Sequence, residues 1–320
     1  MKQADPDDAY GNTWETEVSE EGEFVRHQTG FRSQIRADFS TSFPPASGRY
    51  HLYVSYACPW AHRTLITRKL KGLDTAISFD VVDPLLPQTG WSFGDSSPGS
   101  TGDRINGFHD LRQAYLASNS DFEGAVTVPV LWDKESGQIV NNESSEIIRL
   151  FNSEFQEYAT NPELDLYPTD KRGQIDDVNN WIYRYINNGV YRCGFATTQR
   201  AYSKAFNRLF DALDHVEVIL ADTRFLAGSA FTEADVRLFT TLVRFDAVYA
   251  THFKCNLRRI VDYPNIWGYT RDIYQMPGVA ETVNMEHIKS HYFVSHRHIN
   301  PFGIIPDGPE IDFNQPHGRG

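Results

Sequence analysis

Residues 55–65, SYACPWAHRTL, set one cysteine, Cys58, between a run that reads as a strand and a run that reads as a helix. YHLYVS at 50–55 alternates in the manner of a strand. From Pro59 to Lys71, Leu65, Ile66 and Leu70 recur at helical spacing, and Gly72 closes the segment. A cysteine at such a junction meets the helix N-terminal dipole and unpaired amide donors, both of which favour a thiolate. Pro59 suits the first helical position, where its missing N–H is not needed. The same place also suits an inert thiol buried under the helix, the usual fate of an isolated cysteine.

Outward from this stretch the order of elements is informative. ISFDVV at 77–82 reads as a second strand. After a Gly/Ser-rich insertion holding a short helical piece around LRQAYL come the strand VTVPVLWD (126–133), a turn at KESG, the strand QIV and the helix SSEIIRLF. Strand, helix, strand, two close strands and a helix is the thioredoxin-like order, predicted here over residues 46–160. Residues 1–45 are polar, end in FPPASG, and read as an irregular surface extension. From 161 to 290 the period is helical, with Ile175, Val178, Ile182 and Tyr185, then Phe206, Leu209, Phe210, Leu213 and Leu220. In FTEADVRLF, Thr232 and Asp235 are spaced as a capping box, with Phe231 in the staple position. The fold class expected is an α/β thioredoxin-like N-terminal domain followed by an all-α C-terminal domain, with 291–320 as a tail packed on the core.

Composition narrows the function. The 320 residues carry a formal net charge of −12, and 40% are hydrophobic. Such a chain buries real cores, and with no basic run it is a poor partner for nucleic acid or an anionic membrane. The opening MKQADPDDAY lacks an apolar signal core, and no window approaches a membrane span. Three cysteines, Cys58, Cys193 and Cys255, stand at wide spacings. They suit a reducing compartment and form neither a disulfide framework nor a metal knuckle. The expectation is a soluble, cytoplasmic protein.

The chain resembles the glutathionyl-hydroquinone reductases, also called xi-class glutathione transferases. The resemblance rests on YACPWAHRTL, GWSF at 90–93, VTVPVLWD, NNESSEII at 141–148, INNGVYRCGFA at 186–196, RFDAVYATHFK at 244–254 and HYFVSHRHINPFGIIPDGP at 291–309. The first motif alone leaves the omega-class transferases open, since they too place a cysteine before proline. The three later tyrosine-bearing motifs make the narrower match.

The resemblance implies a nucleophilic Cys58. Three residues on, where a dithiol enzyme would hold its resolving cysteine, stands Ala61, so a mixed disulfide on Cys58 must be resolved by an outside thiol such as glutathione. Glutathione is thus the expected cosubstrate. In thioredoxin-like folds the residue before a cis-proline pairs its main chain with the cysteinyl part of the tripeptide, a place filled here by Val128 and Pro129, with Ala125, Val126 and Thr127 leading in. Ala125 departs from the arginine that many family members carry just before VTV. Glu143 and Ser144, at a helix start, would take the γ-glutamyl ammonium and carboxylate; the plain alternative is an N-cap. Trp91 matches a tryptophan that contacts glutathione, though a tryptophan in a Gly/Ser loop serves equally as an anchor.

Tyr191 is where the family places its acid/base tyrosine, and Tyr249 and Tyr292 match tyrosines that donate to the cysteine sulfur. Any one of the 16 tyrosines, taken singly, reads as a packing residue. His287, His291, His296 and His298 match no zinc template, so no metal is expected. Cys193 reads as a small buried apolar residue. The activity implied is reduction of S-glutathionyl-hydroquinones with release of glutathione disulfide. The alternatives are an omega-like thioltransferase or dehydroascorbate reductase, which needs Cys58 but not Tyr191, and a non-catalytic transferase-like binding module. The expected partners are glutathione and glutathionylated hydroquinones, and the family implies a homodimer through the helical domain.

Overall fold

The computed structural model describes residues 18–26, 29–87, 90–94 and 97–319, so residues 1–17, 27 and 28 of the expected extension lie outside it. The chain divides into two units. One comprises residues 29–164 and 282–305 of the described chain, the other 18–26, 165–281 and 306–319.

In the first unit, β1 (Tyr50–Val54) leads into α1 (Pro59–Leu70), β2 (Ile77–Val81), the short α2 (Arg112–Ser118), β3 (Val130–Asp133), β4 (Gln138–Asn141) and α3 (Ser144–Ser153). The strands form one sheet in the order β2-β1-β3-β4. β1 runs parallel to β2, pairing Leu52 with Phe79, and antiparallel to β3, pairing Leu52 with Leu131. Parallel pairing needs a crossover, which α1 supplies. This is the thioredoxin-like arrangement, with Gly72 at φ +65° ending the α1 crossover.

Two details depart from the sequence reading. The alternation in YHLYVS suggests one wet face, yet all five residues of β1 are buried. As a central strand, β1 is covered on both faces, and its one imidazole is housed by polar groups, His51 Nδ1 lying 2.7 Å from the Ser78 hydroxyl and Nε2 3.3 Å from Asp80. The strand expected over 126–133 starts only at Val130. Pro129 has no N–H to give a ladder, and both backbone groups of Thr127 are taken by a side chain, the Tyr115 hydroxyl. The sheet core of Leu52, Val54, Ile77, Val81 and Leu131 is fully buried, each side chain contributing roughly 1.5–3 kcal/mol. Arg49 clamps the end of β3, its Nε and Nη2 donating to the two oxygens of Asp133 at 2.7 Å each.

The second unit is helical. α4 (Arg172–Ile182) passes through a π-turn, Tyr183–Asn187, into α5 (Asn188–Gly194). Then come α6 (Gln199–Asp222), α7 (Glu233–Arg244), a second π-turn at Phe245–Tyr249, and α8 (Pro264–Tyr274). Ile175, Val178 and Ile182 form the buried stripe of α4, and Leu209, Phe210, Leu213 and Leu220 that of α6. The capping box at α7 is formed, with the Thr232 amide donating to Asp235 Oδ2 at 2.8 Å. No helix among the described residues is long and apolar enough to cross a membrane.

α9 (Met285–Ser295) groups with the first unit rather than with the helical residues 161–290 in which the sequence reading begins it. Its ties explain why: His287 Nε2 is 2.8 Å from the Pro98 carbonyl, His291 Nδ1 is 2.8 Å from that of Pro84, and the Leu86 amide donates to Ser295 Oγ at 3.0 Å. Helical periodicity identifies a helix but not the layer it joins. Residues 306–319 belong to the second unit, where Phe313 stacks on Tyr274 at 4.9 Å and Arg319 donates to the Leu220 carbonyl at 2.8 Å. The described part of residues 1–45 is not merely superficial: Phe24 and Ile35 are buried. Two apolar residues so far apart have no period to reveal them.

Candidate functional site

In the first unit Cys58 is the N-cap of α1, with extended backbone at φ −77°, ψ 120° and Pro59 next to it. Its carbonyl accepts from the His62 amide at 3.0 Å, the first bond of the helix. Its half-buried thiol donates to the Val128 carbonyl at 3.5 Å. The Val128–Pro129 peptide is cis. The structure thus brings Cys58 to the segment expected to pair with the cysteinyl part of glutathione, across 70 residues of chain.

That segment is held from one side by a residue the sequence reading missed. Tyr115, on α2, uses its hydroxyl to bond both the carbonyl and the amide of Thr127, at 2.8 and 3.1 Å. The same hydroxyl accepts from Asn142 Nδ2 at 3.0 Å, at the end of β4. Burial pushes the phenol's pKa up, so it stays a neutral donor. Ala125 is exposed in the loop ahead of it, and Val126 lies near Gly90, whose φ of +99° turns the chain into Trp91.

Glu143 is the N-cap of α3, its Oε1 accepting from the Ser145 amide at 3.1 Å and hydroxyl at 2.9 Å, and its Oε2 from Thr29 at 3.4 Å. The plain capping role is therefore present. Ser144 is buried at the first helical position, and its hydroxyl accepts from Arg63 Nη1 at 3.4 Å. Arg63, fully buried on α1, was also missed; a lone arginine in a helical run carries no sequence mark of burial. Anions favour such a helix start, where amide donors and the dipole converge, and the guanidinium adds a formal charge beside it.

Trp91 is buried and stacks on His291 at 5.0 Å, and its carbonyl accepts from the Leu111 amide at 2.9 Å. Tyr292, its neighbour on α9, is buried with its ring edge-on to His291 and His296. The histidines are thus used in packing and carbonyl contacts. Among the described residues no three His, Cys, Asp or Glu side chains are disposed to hold a metal ion.

The other two tyrosines are brought together in the second unit. Tyr191 on α5 and Tyr249 at the end of the second π-turn have ring centroids 6.1 Å apart. Phe253 packs on both, at 5.4 Å from each. The Arg26 guanidinium lies 5.1 Å from the Tyr191 ring centre while its Nε donates to Asn188 Oδ1 at 2.9 Å. Gly194 in the GVYRCG run is required by closeness, since a Cβ there would fall 2.1 Å from the Phe253 ring. Cys193 and Cys255 are buried neighbours, and burial together with the Cys193 thiol pushes Cys255 well up. A thiol so raised is a poor nucleophile.

Comparison with known proteins agrees with this architecture. The glutathione S-transferase N-terminal domain family matches residues 57–154 and the C-terminal domain family residues 199–272. The chain is 52% identical to the Escherichia coli (strain K12) glutathionyl-hydroquinone reductase YqjG, over 98% of this chain and 97% of that protein. The solved glutathione-bound structure of YqjG superposes with a TM-score of 0.88, covering 92% of this chain and 97% of that one. The glutathionyl-hydroquinone reductase PcpF of Sphingobium chlorophenolicum is 48% identical, over 95% of each chain. A xi glutathione transferase from Phanerochaete chrysosporium, 51% identical, matches with a TM-score of 0.89 over 91% of this chain and 94% of that one. Sequence, fold and relatives agree that this chain belongs to the glutathione transferases and, within them, to the xi-class family of glutathionyl-hydroquinone reductases.

Proposed function

We propose that the protein catalyses glutathione-dependent reduction of S-glutathionyl-hydroquinones, giving the free hydroquinone and glutathione disulfide. The observation that carries this is Cys58: a thiol that caps α1 beside the Val128 carbonyl, with Ala61 where a resolving cysteine would stand, in a chain 52% identical to a named glutathionyl-hydroquinone reductase.

The Cys58 thiolate attacks the sulfur of the aryl thioether, so that an S–S bond forms as the S–C bond to the ring breaks. The positive end of α1 favours negative charge on that sulfur before attack. An aryl carbanion is too basic to leave. If the hydroquinone first takes its keto form, the leaving group is an enolate, and the Tyr191 phenol moves the proton. A second glutathione, as thiolate, attacks the glutathione sulfur of the mixed disulfide, releasing Cys58 and glutathione disulfide. The net exchange replaces the ring's glutathionyl group by the hydrogen of the second thiol.

Glutathione would be held by the main chain at Val128, before Pro129, with residues 125–127 alongside, by Trp91, and by Glu143 and Ser144 at the start of α3. The Arg63 guanidinium beside Ser144 supports a carboxylate there. Tyr249 and Tyr292 are assigned as donors that favour the Cys58 thiolate. Glutathione binding is thereby placed on the thioredoxin-like residues 46–160 and phenol chemistry largely on the helical residues 161–290. Three free cysteines support a reducing, cytoplasmic location, and the family supports a homodimer. The decisive experiment incubates the protein with a synthetic glutathionyl-hydroquinone and glutathione and follows hydroquinone release. Turnover is expected; activity confined to simple mixed disulfides would replace the reading by a thioltransferase.

A further inference from the structure

The second unit concentrates positive charge in a place that this chemistry does not use. The chain as a whole carries −12, yet Arg184, Arg192, Lys204 and Arg208 line one small surface recess. Arg184 sits in the first π-turn and Arg192 on α5, where its Nη1 donates to the Arg184 carbonyl at 3.3 Å. Lys204 and Arg208 are one turn apart on α6. Small residues, Gly189, Ala201 and Ala205, line the recess between them. Glu23 is the carboxylate in this lining, and it pairs with Lys204 at 2.5 Å. Among the described residues no carboxylate reaches ion-pairing distance of Arg184, Arg192 or Arg208. Four cations against one carboxylate leave the lining at +3.

Packing does not ask for this. Like charges at i and i+4 weaken a helix, and burial together with repulsion from Arg184 and Arg208 lowers the pKa of the half-buried Arg192 guanidinium. An acidic chain that tolerates such crowding gains a local field able to hold an anion. A second, more open recess adjoins it, sharing Tyr185 and Arg208. It is lined by Trp181 and His215, whose rings are 5.2 Å apart, and by Asp211. Aromatic faces there suit a planar ring, while Asp211 directs acidic groups towards the basic recess.

We propose that the joined recesses bind a ring-bearing organic polyanion, its acidic groups among Arg184, Arg192, Lys204 and Arg208 and its ring on Trp181 and Tyr185. The site lies wholly within the second unit and contains none of the residues assigned to glutathione.

Calorimetric titration of the full chain with ATP, tripolyphosphate and adenosine tests this. ATP should bind saturably, tripolyphosphate more weakly and adenosine least, with ATP affinity falling steeply as salt rises from about 50 to about 200 mM. Arg184→Gln combined with Arg208→Gln should weaken ATP by roughly tenfold or more, and Glu23→Gln should tighten it. Thermal melts and glutathione binding serve as fold controls for these surface variants. Absence of saturable ATP binding, equal affinity for tripolyphosphate, or an affinity unmoved by the double substitution would each overturn the assignment.

Discussion

The hydroxyl of Tyr115 bonds the carbonyl and the amide of the same residue, Thr127, at 2.8 and 3.1 Å, one step before the Val128 carbonyl that meets the Cys58 thiol. One phenol therefore stands in for the neighbouring strand that this segment lacks. Tyr115→Phe leaves both Thr127 groups and Asn142 Nδ2 without that partner, a cost of roughly 1–3 kcal/mol in a buried setting. The expected result is a lower denaturant midpoint and a raised KM for glutathione, with kcat little altered. Unchanged glutathione affinity by calorimetry would show that the clamp does not govern the binding edge.

Cys58→Ser should abolish turnover while sparing the fold and glutathione binding, because a serine hydroxyl near neutral pH offers almost no alkoxide to attack sulfur. In the wild type, mass spectrometry after treatment with glutathione disulfide should find one glutathione on Cys58. Cys193 and Cys255 are buried, and Cys255 is pushed further from its thiolate by its neighbour. Preferential modification of either would transfer the nucleophile's role away from α1.

Tyr191→Phe should separate two activities. Mixed disulfides already carry a good thiolate leaving group and need only Cys58 and bound glutathione. A glutathionyl-hydroquinone has a carbon leaving group, so loss of the phenol should cost about 10²- to 10⁴-fold on that substrate alone. The ratio of the two rates is the readout, since a packing defect around Phe253 and Tyr249 lowers both. Rates that fall together would make Tyr191 a packing residue.

Asp235, wholly buried, caps α7 and accepts from the amides of Leu226 and Thr232 and the hydroxyls of Thr232 and Tyr269. Burial pushes its carboxyl up to about 6 against those four donors. The unfolded chain holds it at about 3.9. Between these values the native state keeps a proton that the unfolded state has lost, so this contribution is fully present below about pH 4 and is lost as pH rises through about 6. Relative to Asp235→Asn, which does not titrate, the wild type should lose on the order of 3 kcal/mol of unfolding free energy across that window. A flat difference from pH 4 to 6.5 by denaturant titration would refute it.

How far the sequence alone reaches depends on which signals are local. The strand-to-helix junction at Cys58, the turn at Gly72 and the Thr232–Asp235 box are written in adjacent residues, and each forms. The site partners that escaped notice are joined across the chain: Tyr115 to Thr127 by a side chain substituting for a ladder, Arg63 to Ser144 by burial of a charge, Trp91 to His291 by a stack over 200 residues. Nothing in a linear pattern marks such pairs. That α9 groups with the first unit is equally unmarked, because a helix's period is blind to what it lies against. Tyr185 shows a subtler limit. It continues the apolar stripe of α4 on paper but stands only half-buried, because the helix has changed its winding by then.

That change of winding has a bearing on how this family can vary. A π-turn carries one residue more than the α-turn it replaces, so each of the two wide turns, Tyr183–Asn187 and Phe245–Tyr249, absorbs an extra residue while the helix after it keeps its phase. Deleting a single residue within Tyr183–Asn187 would let that turn close as an ordinary α-turn and leave Tyr191 facing Tyr249 and Phe253, whereas deleting one between Asn188 and Val190, in the regular helix, would turn Tyr191 by about 100° around the helix axis. The chemistry assigned to that phenol is therefore guarded by residue count only in the regular turns beside it, and a relative that keeps the tyrosine but lacks the extra residue of the wide turn upstream would keep both the letter and the position.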